Sequence, residues 1–151
     1  MSDVTSTIDD PELGTFTRAR TELTDGSVLT HDWFVGTVSV EGTELELMLE
    51  GTTSSEVAPL LPRLRDTVKR LDIVRRIATD AVVTNFSTGD PEAHELDDAA
   101  SDLTIEAIEA ATDGTVVVHL IDSCGEHFPE GYWPAVHLGV DDSVVQVTVE
   151  S

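Results

Sequence analysis

The stretch WFVGTVSV-EG-TELELMLE, from Trp33 to Glu50, alternates apolar and polar residues on both sides of Glu41-Gly42. Alternation around a two-residue turn predicts an antiparallel hairpin of two half-buried strands, residues 33–40 and 43–50. The predicted register gathers the apolar side chains on one face: Phe34, Val38, Val40, Leu45, Leu47 and Leu49. The opposite face points to solvent and holds Trp33, Thr37, Glu44, Glu46 and Glu50. The hairpin therefore predicts a sheet with one core face and one solvent face.

The same patterning predicts strands before and after this hairpin. A strand over residues 14–20 precedes it, and Asp25-Gly26 marks the intervening turn. Residues 103–111 are expected to pair with residues 115–122 around Asp113-Gly114, which sets His119 opposite Ile108. A closing hairpin is predicted from residues 132–140 and 143–149. Its register sets Val136 opposite Val147 and Leu138 opposite Val145.

A helical pattern separates the two groups of strands. After Gly51, apolar residues recur at helical spacing from Val57 to Ala78, and Pro62 is expected to kink or restart the helix. A further turn or short helix is expected over residues 81–86, and residues 91–101 are helix or loop. The predicted fold is α+β: an antiparallel sheet built from hairpins, with the central helical segment packed on one face.

Length and composition indicate one domain. The chain has 151 residues, 40% of them hydrophobic, which suits a single core. Residues 1–12 are small and acidic, so we expect a mobile acidic tail followed by one domain over residues 13–151. The start of the chain has neither a basic segment nor an apolar run, and no stretch approaches the roughly 18 apolar residues of a membrane span. We therefore expect a cytoplasmic protein without membrane contact.

The charge balance indicates adaptation to salt. Thirty acids against eight bases give a net charge of -22, and Lys69 is the only lysine. In dilute buffer such a surface repels itself, whereas at about 1 M salt the Debye length falls to about 3 Å and screens the repulsion. The composition predicts a halophilic protein.

The sequence holds no motif of nucleotide binding or of nucleophilic catalysis. G-x-G-x-x-G, Walker and G-x-S-x-G patterns are absent, and the paired acids follow from composition. We predict no cofactor. The alternative is a metal site in which Cys124 and His127, spaced C-x-x-H, are joined by His119 or Asp122.

One segment reverses the charge of the chain. Residues 63–80 hold six bases and three acids and so carry a net charge of +3. Since the whole chain carries -22, the rest of the chain carries -25. The six bases are Arg63, Arg65, Lys69, Arg70, Arg75 and Arg76. They either pair with acids of the same chain, as the i,i+4 spacings suggest, or form a protein interface. Nucleic-acid binding is unlikely because the surrounding acids repel phosphate. Tyr132 and Trp133 in the closing hairpin form a second candidate contact.

Several short motifs occur in a distinctive order: Gly14-Thr15-Phe16, Trp33-Phe34-Val35-Gly36, the basic helix, an isoleucine strand before Asp113-Gly114, and Tyr132-Trp133. This order resembles a widespread family of small bacterial and archaeal domains of unknown function, here in a haloarchaeal version. Members often carry a histidine soon after the closing aromatic pair, where this chain has Ala135. The resemblance implies a fold and no activity.

The function predicted from these observations is a non-enzymatic interaction or accessory domain. Its partner would be a second copy of the chain or another protein, contacted through the basic helix or the closing aromatic residues. The alternative is a small-molecule or metal-binding protein, possibly an enzyme, with its site near Cys124 and His127.

Overall fold

A computed structural model of the protein describes residues 7–122 and 131–150. The strands are β1 (Thr7–Asp10), β2 (Gly14–Glu22), β3 (Val28–Val40), β4 (Thr43–Glu50), β5 (Leu103–Ala110), β6 (Val116–Asp122), β7 (Trp133–Leu138) and β8 (Val144–Glu150). The helices are α1 (Ser54–Val57), α2 (Leu61–Lys69), α3 (Leu71–Phe86) and α4 (Ala93–Asp102), with a 3₁₀ turn at Ala58–Leu60.

The eight strands form one sheet in the order of the sequence. Neighbouring strands are antiparallel except β4 and β5, which run parallel with Glu46 opposite Ala107. A parallel pair needs a long crossover, and the helical segment between β4 and β5 supplies it. Two four-stranded antiparallel units are thus joined side by side. The α+β fold class is confirmed, and the parallel pair is an addition to the prediction.

The β3–β4 hairpin has the predicted register. Val40 pairs with Thr43 and Trp33 pairs with Glu50. Glu41 and Gly42 both have positive φ, 51° and 82°, as a tight two-residue hairpin turn requires. The apolar face is buried, whereas the glutamates of β4 are exposed.

The helices cover the apolar face of the sheet. Leu64 of α2 and Val74 and Ala78 of α3 are fully buried in one core with Leu47 and Ile108. The helical segment begins with a capping box, in which Thr53 and Glu56 each bond the other's backbone. Proline lies in the first turn of α2, which confirms the predicted restart at Pro62. Residues 81–86 continue α3 instead of forming a separate turn.

The predicted tail is wrong from Thr7 onward, because β1 pairs with β2 along residues 7–10. The physical reason is Asp10, which is 5% exposed. Its carboxylate accepts hydrogen bonds from the backbone N–H groups of Glu12 and Leu13 at 3.0 and 2.9 Å. These bonds hold the turn between the two strands, so the chain is ordered before residue 13.

Three hairpin turns share one geometry. The N–H groups of Gly26, Gly114 and Asp142 each donate to the carbonyl three residues earlier at 3.0 Å, and all three residues have positive φ. In each turn the preceding aspartate accepts from the backbone of the following serine or threonine. The third turn spans more residues than the predicted two-residue loop.

Two predicted pairings are wrong by one residue. His119 lies opposite Ala107 instead of Ile108, because the turn after β5 sets Ala110 opposite Val116 and the same register continues to His119. In the closing hairpin the register shifts after His137, so that Leu138 lies opposite Val144 instead of Val145. A bulge adds one unpaired residue, which a strict alternation does not reveal.

Within the described part of the chain, none of the helices combines the length and the apolar character that crossing a bilayer demands.

Candidate interaction surfaces

Helix α2 and Arg70, which caps its end, carry four of the six predicted contact bases, and two of these hold the β7–β8 turn. Arg63 donates to the Asp142 carboxylate at 2.9 Å and to the Gly139 carbonyl at 2.8 Å. Arg70, at the end of the helix, reaches the other oxygen of Asp142 at 2.7 Å. Asp142 is only 18% exposed at its side chain. Burial alone raises the pKa of its carboxyl, but the hydrogen bonds from Arg70 and Arg63 outweigh burial and hold the pKa below its usual value.

The other two bases of α2 hold the β1–β2 turn. Arg65 Nε lies 3.0 Å from the buried Asp10 carboxylate, and Lys69 Nζ lies 3.2 Å from Glu12. The i, i+4 spacing of Arg65 and Lys69 places them on one side of the helix, toward this turn. Helix α2 therefore contacts the turns next to both edge strands of the sheet.

The two bases of α3 are also bonded within the chain. Arg75 donates to the backbone carbonyls of Ala100 and Leu103, which tie α3 to the end of α4. Arg76 pairs with Asp80 at 2.9 Å and Asp97 at 3.0 Å. The hydrogen bonds with Asp97 and Asp80 raise the pKa of the Arg76 guanidinium above its usual value. The geometry fits the intramolecular alternative, because each of the six bases contacts an acid or a backbone carbonyl of the same chain.

Trp133 lies on the solvent face of β7, where it contacts His119 of β6. Its indole N–H donates to His119 Nδ1 at 3.1 Å, and His119 Nε2 faces Glu109 at 3.4 Å. Because Nδ1 accepts, the ring proton lies on Nε2. His119 is 13% exposed at its side chain. His119 is thus a partly buried histidine with a hydrogen-bond neighbour at each ring nitrogen.

This arrangement bears on the metal alternative. Both ring nitrogens of His119 have neighbours, whereas a metal ligand needs one with a free lone pair. Cys124 and His127 lie outside the described residues. Among the residues that are described, no three His, Cys, Asp or Glu side chains are grouped to hold a metal ion.

Tyr132 lies apart from Trp133, at a cleft of about 720 Å³. The cleft opens between the last turn of α3, helix α4 and the end of β8, and Phe86, Glu95 and Val149 belong to its lining. The structure thus separates the two adjacent aromatic residues. Tyr132 lines the apolar cleft, and Trp133 lies on the solvent face with its indole N–H bonded to His119.

Strand β8 forms one edge of the sheet. It pairs with β7 on one side, and no strand of the described chain pairs with it on the other. Val144, Val145 and Val149 are 43%, 65% and 44% exposed. From Ser143 to Val149 the sequence has no charged residue. Except for Glu150 at its end, β8 is an uncharged, valine-rich edge, which is the form of strand that pairs with other chains.

Neither a family model, nor a curated protein, nor a solved structure matches the chain. The resemblance to a family of small domains stays a prediction.

Apart from Tyr132, sequence reasoning did not single out the residues of the cleft, and it did not single out the β8 edge. Phe86 and Val149 are far apart in the sequence, so no local pattern could join them. The edge had a signal in the uncharged run from Ser143 to Val149. That signal identifies a strand but does not say whether the strand lies inside the sheet or at its edge.

Proposed function

We propose that the protein is a non-enzymatic interaction domain of the cytoplasm that assembles as a homodimer through strand β8. The observation that carries the proposal is the unprotected edge of β8. Its outer backbone N–H and C=O groups have no partner strand within the described chain, and pairing would satisfy them. His31, His119 and His137 are each bonded to a neighbouring side chain, which favours structural roles for them over general-base roles.

The opposite edge of the sheet, strand β1, explains why β8 would pair with β8 of a second molecule and not with its β1. Strand β1 has only four residues and carries Asp9 and Asp10. Short edge strands with inward-pointing charges resist pairing, and the buried Asp10 is such a charge. Pairing of β8 with β1 of a second molecule would also extend without end. Antiparallel pairing of β8 with its own copy closes a two-fold dimer.

Charge supports a second copy as the partner. Each molecule carries -22, so two molecules can approach only where their surfaces lack acid. The residues from Ser143 to Val149 meet this condition. At one end of the strand, Asp142 is neutralised by Arg63 and Arg70. The edge is therefore a place where molar salt and an apolar surface together permit contact.

The proposal is tested by the substitution Val145→Glu, measured by sedimentation equilibrium in 2 M potassium chloride. In a two-fold dimer the variant adds a carboxylate from each molecule to the interface between two chains that each already carry -22, which opposes their contact. We expect the wild type to be a dimer at micromolar concentration and the variant to dissociate at least about tenfold more readily, which corresponds to about 1.4 kcal/mol.

Val28→Glu is the matched control. Val28 is 57% exposed, similar to Val145, but lies at the start of β3, where it pairs with Glu22 of β2, away from the β8 edge. This variant should dimerise like the wild type. A monomeric wild type, or a dimer that Val145→Glu leaves intact, would overturn the proposal. Urea unfolding of both variants distinguishes loss of the dimer from loss of the fold.

A further inference from the structure

The cleft beside Tyr132 has an apolar floor. Val82, Ala99 and Leu103, which line it, are buried to 5%, 7% and 2% exposure. They come from three elements, α3, α4 and β5, so the floor is held by the core of the domain. Such a floor favours the apolar part of a ligand, and the volume of about 720 Å³ is that of a small-molecule site.

Two aromatic rings stand at the rim. Phe86 ends α3 and is 52% exposed, and Tyr132 precedes β7 and is 51% exposed. Only 5% of the residues in the chain are aromatic, yet two half-exposed aromatic rings lie at this one cleft. The faces of aromatic rings are electron-rich and attract cations.

Helix α4 adds negative charge to the same cleft. Glu95 and Asp98 line it with Ala99, and the i, i+3, i+4 spacing puts the three on one side of the helix. The neighbouring Asp97 pairs with Arg76. Among the described residues that line the cleft there is no lysine, arginine or histidine. Two carboxylates therefore border an apolar space without a cation beside them in its described lining.

We infer that this cleft binds an organic cation with an apolar body, such as a quaternary ammonium group on an alkyl chain. The floor takes the alkyl part, and the rings of Phe86 and Tyr132 contact the ammonium methyl groups. Glu95 and Asp98 supply the opposite charge. A metal ion would lack oxygen ligands on the apolar side, and an anion would be repelled by both carboxylates. This inference does not depend on the dimer.

The first test compares three ligands with the same chain length by calorimetry in 1 M potassium chloride: octyltrimethylammonium, octanol and octanoate. They share the apolar body and differ in the charge of the head group. We expect octyltrimethylammonium to bind at least about tenfold more tightly than octanol, and octanoate to bind more weakly than octanol. Equal binding of the cation and the alcohol, or no binding of the cation, would overturn the inference.

The second test assigns the preference to the cleft. The double variant Glu95→Gln, Asp98→Asn should bind the cation about fivefold more weakly and leave octanol binding unchanged. The control double variant, Glu44→Gln with Glu46→Gln, also removes two negative charges, but from exposed positions on β4. It should leave the binding of both the cation and octanol unchanged. Equal weakening in both double variants would show that the net charge of the chain, not the cleft, attracts the cation, and would overturn the assignment.

Discussion

At the scale of single residues, Asp142 occupies a position that glycine holds in the two comparable turns. Gly26 and Gly114 have φ of 89° and 90°, and Asp142 has φ of 66°. Glycine adopts this left-handed region without steric penalty, whereas a residue with a Cβ does so at some cost in free energy. The compensation is the carboxylate, which accepts from Arg63 and Arg70. The side chain, and not the turn alone, explains the aspartate.

The substitution Asp142→Asn tests this account. Asparagine also tolerates the left-handed region, so the variant keeps the turn and removes the charge that binds two guanidinium groups. We expect the free energy of unfolding to fall by about 2 kcal/mol, as for hydrogen bonds to charged partners. The measurement is urea unfolding in 2 M potassium chloride. As a control, Asp66→Asn removes the other, exposed partner of Arg70 and should lower the free energy of unfolding by less than about 0.5 kcal/mol. Equal effects of the two substitutions would contradict the account.

The comparison of the wild type with Asp142→Asn also predicts how the free energy of unfolding depends on pH. Because the folded-state pKa of Asp142 lies below its usual 3.8, its contribution to stability is fully present above that value. The contribution is lost as the pH falls through the folded-state pKa. The difference in unfolding free energy between the wild type and Asp142→Asn should therefore be constant at pH 5 to 7 and shrink below about pH 4. A difference that persists unchanged at lower pH would show that the charge is not its source.

At the scale of elements, helix α2 connects the two ends of the sheet. Arg65 and Lys69 bind the turn after β1, and Arg63 and Arg70 bind the turn before β8. The two edge strands have no strand beyond them within the described chain, and side-chain contacts from α2 hold the turn next to each of them. The segment of positive charge is thus an internal support of the sheet.

Removing one contact should release one edge. In Asp10→Asn the carboxylate that meets Arg65 and the turn N–H groups loses its charge. We expect a fall of about 2 kcal/mol in unfolding free energy and faster amide exchange in residues 7–13 than in the rest of the sheet. Asp9→Asn, an exposed neighbour, is the control and should change both by little. Uniform acceleration throughout the sheet would show instead that the contact supports the whole fold.

The elements that sequence predicted well are those set by local pattern. Alternation from Trp33 to Glu50 leaves one register once the two-residue turn is fixed, and the structure has that register. The strand from Leu103 and its partner after Asp113-Gly114 were found for the same reason. Local alternation could not show the parallel contact of β4 with β5, since the strands are separated by the helices.

Contacts between distant segments were beyond the pattern. Arg63 and Asp142 are 79 residues apart, and the sequence offers many other acids as partners. The pairing depends on where α2 crosses the sheet, which only the packing of the core fixes. The cleft has the same origin, because Phe86 and Tyr132 meet through the folding of α3 onto the sheet. Charge alone therefore singled out these bases but could not show which groups of the same chain they contact.

At the scale of the whole molecule, electrostatic terms of opposite sign compete. The bases of α2 and α3 are bonded inside the chain and do not offset the acids elsewhere on the surface. With 30 acids and a net charge of -22, long-range repulsion must be large in dilute solution. Salt weakens both the ion pairs and the repulsion. The repulsion sums over many distant charges, so screening removes more of it than of the short, partly buried pairs.

We therefore expect unfolding free energy to fall by at least about 2 kcal/mol, and the melting temperature by about 5 °C, between 2 M and 0.1 M potassium chloride. Glu44→Gln with Glu46→Gln separates screening from other effects of salt, because it lowers repulsion without touching the core. That variant should be more stable than the wild type at 0.1 M and equal to it at 2 M, where a Debye length of about 3 Å or less already isolates the charges. Thermal unfolding followed by circular dichroism measures both. A wild type equally stable at the two concentrations would contradict the halophilic interpretation, since the acidic surface would then exert no net repulsion for salt to relieve.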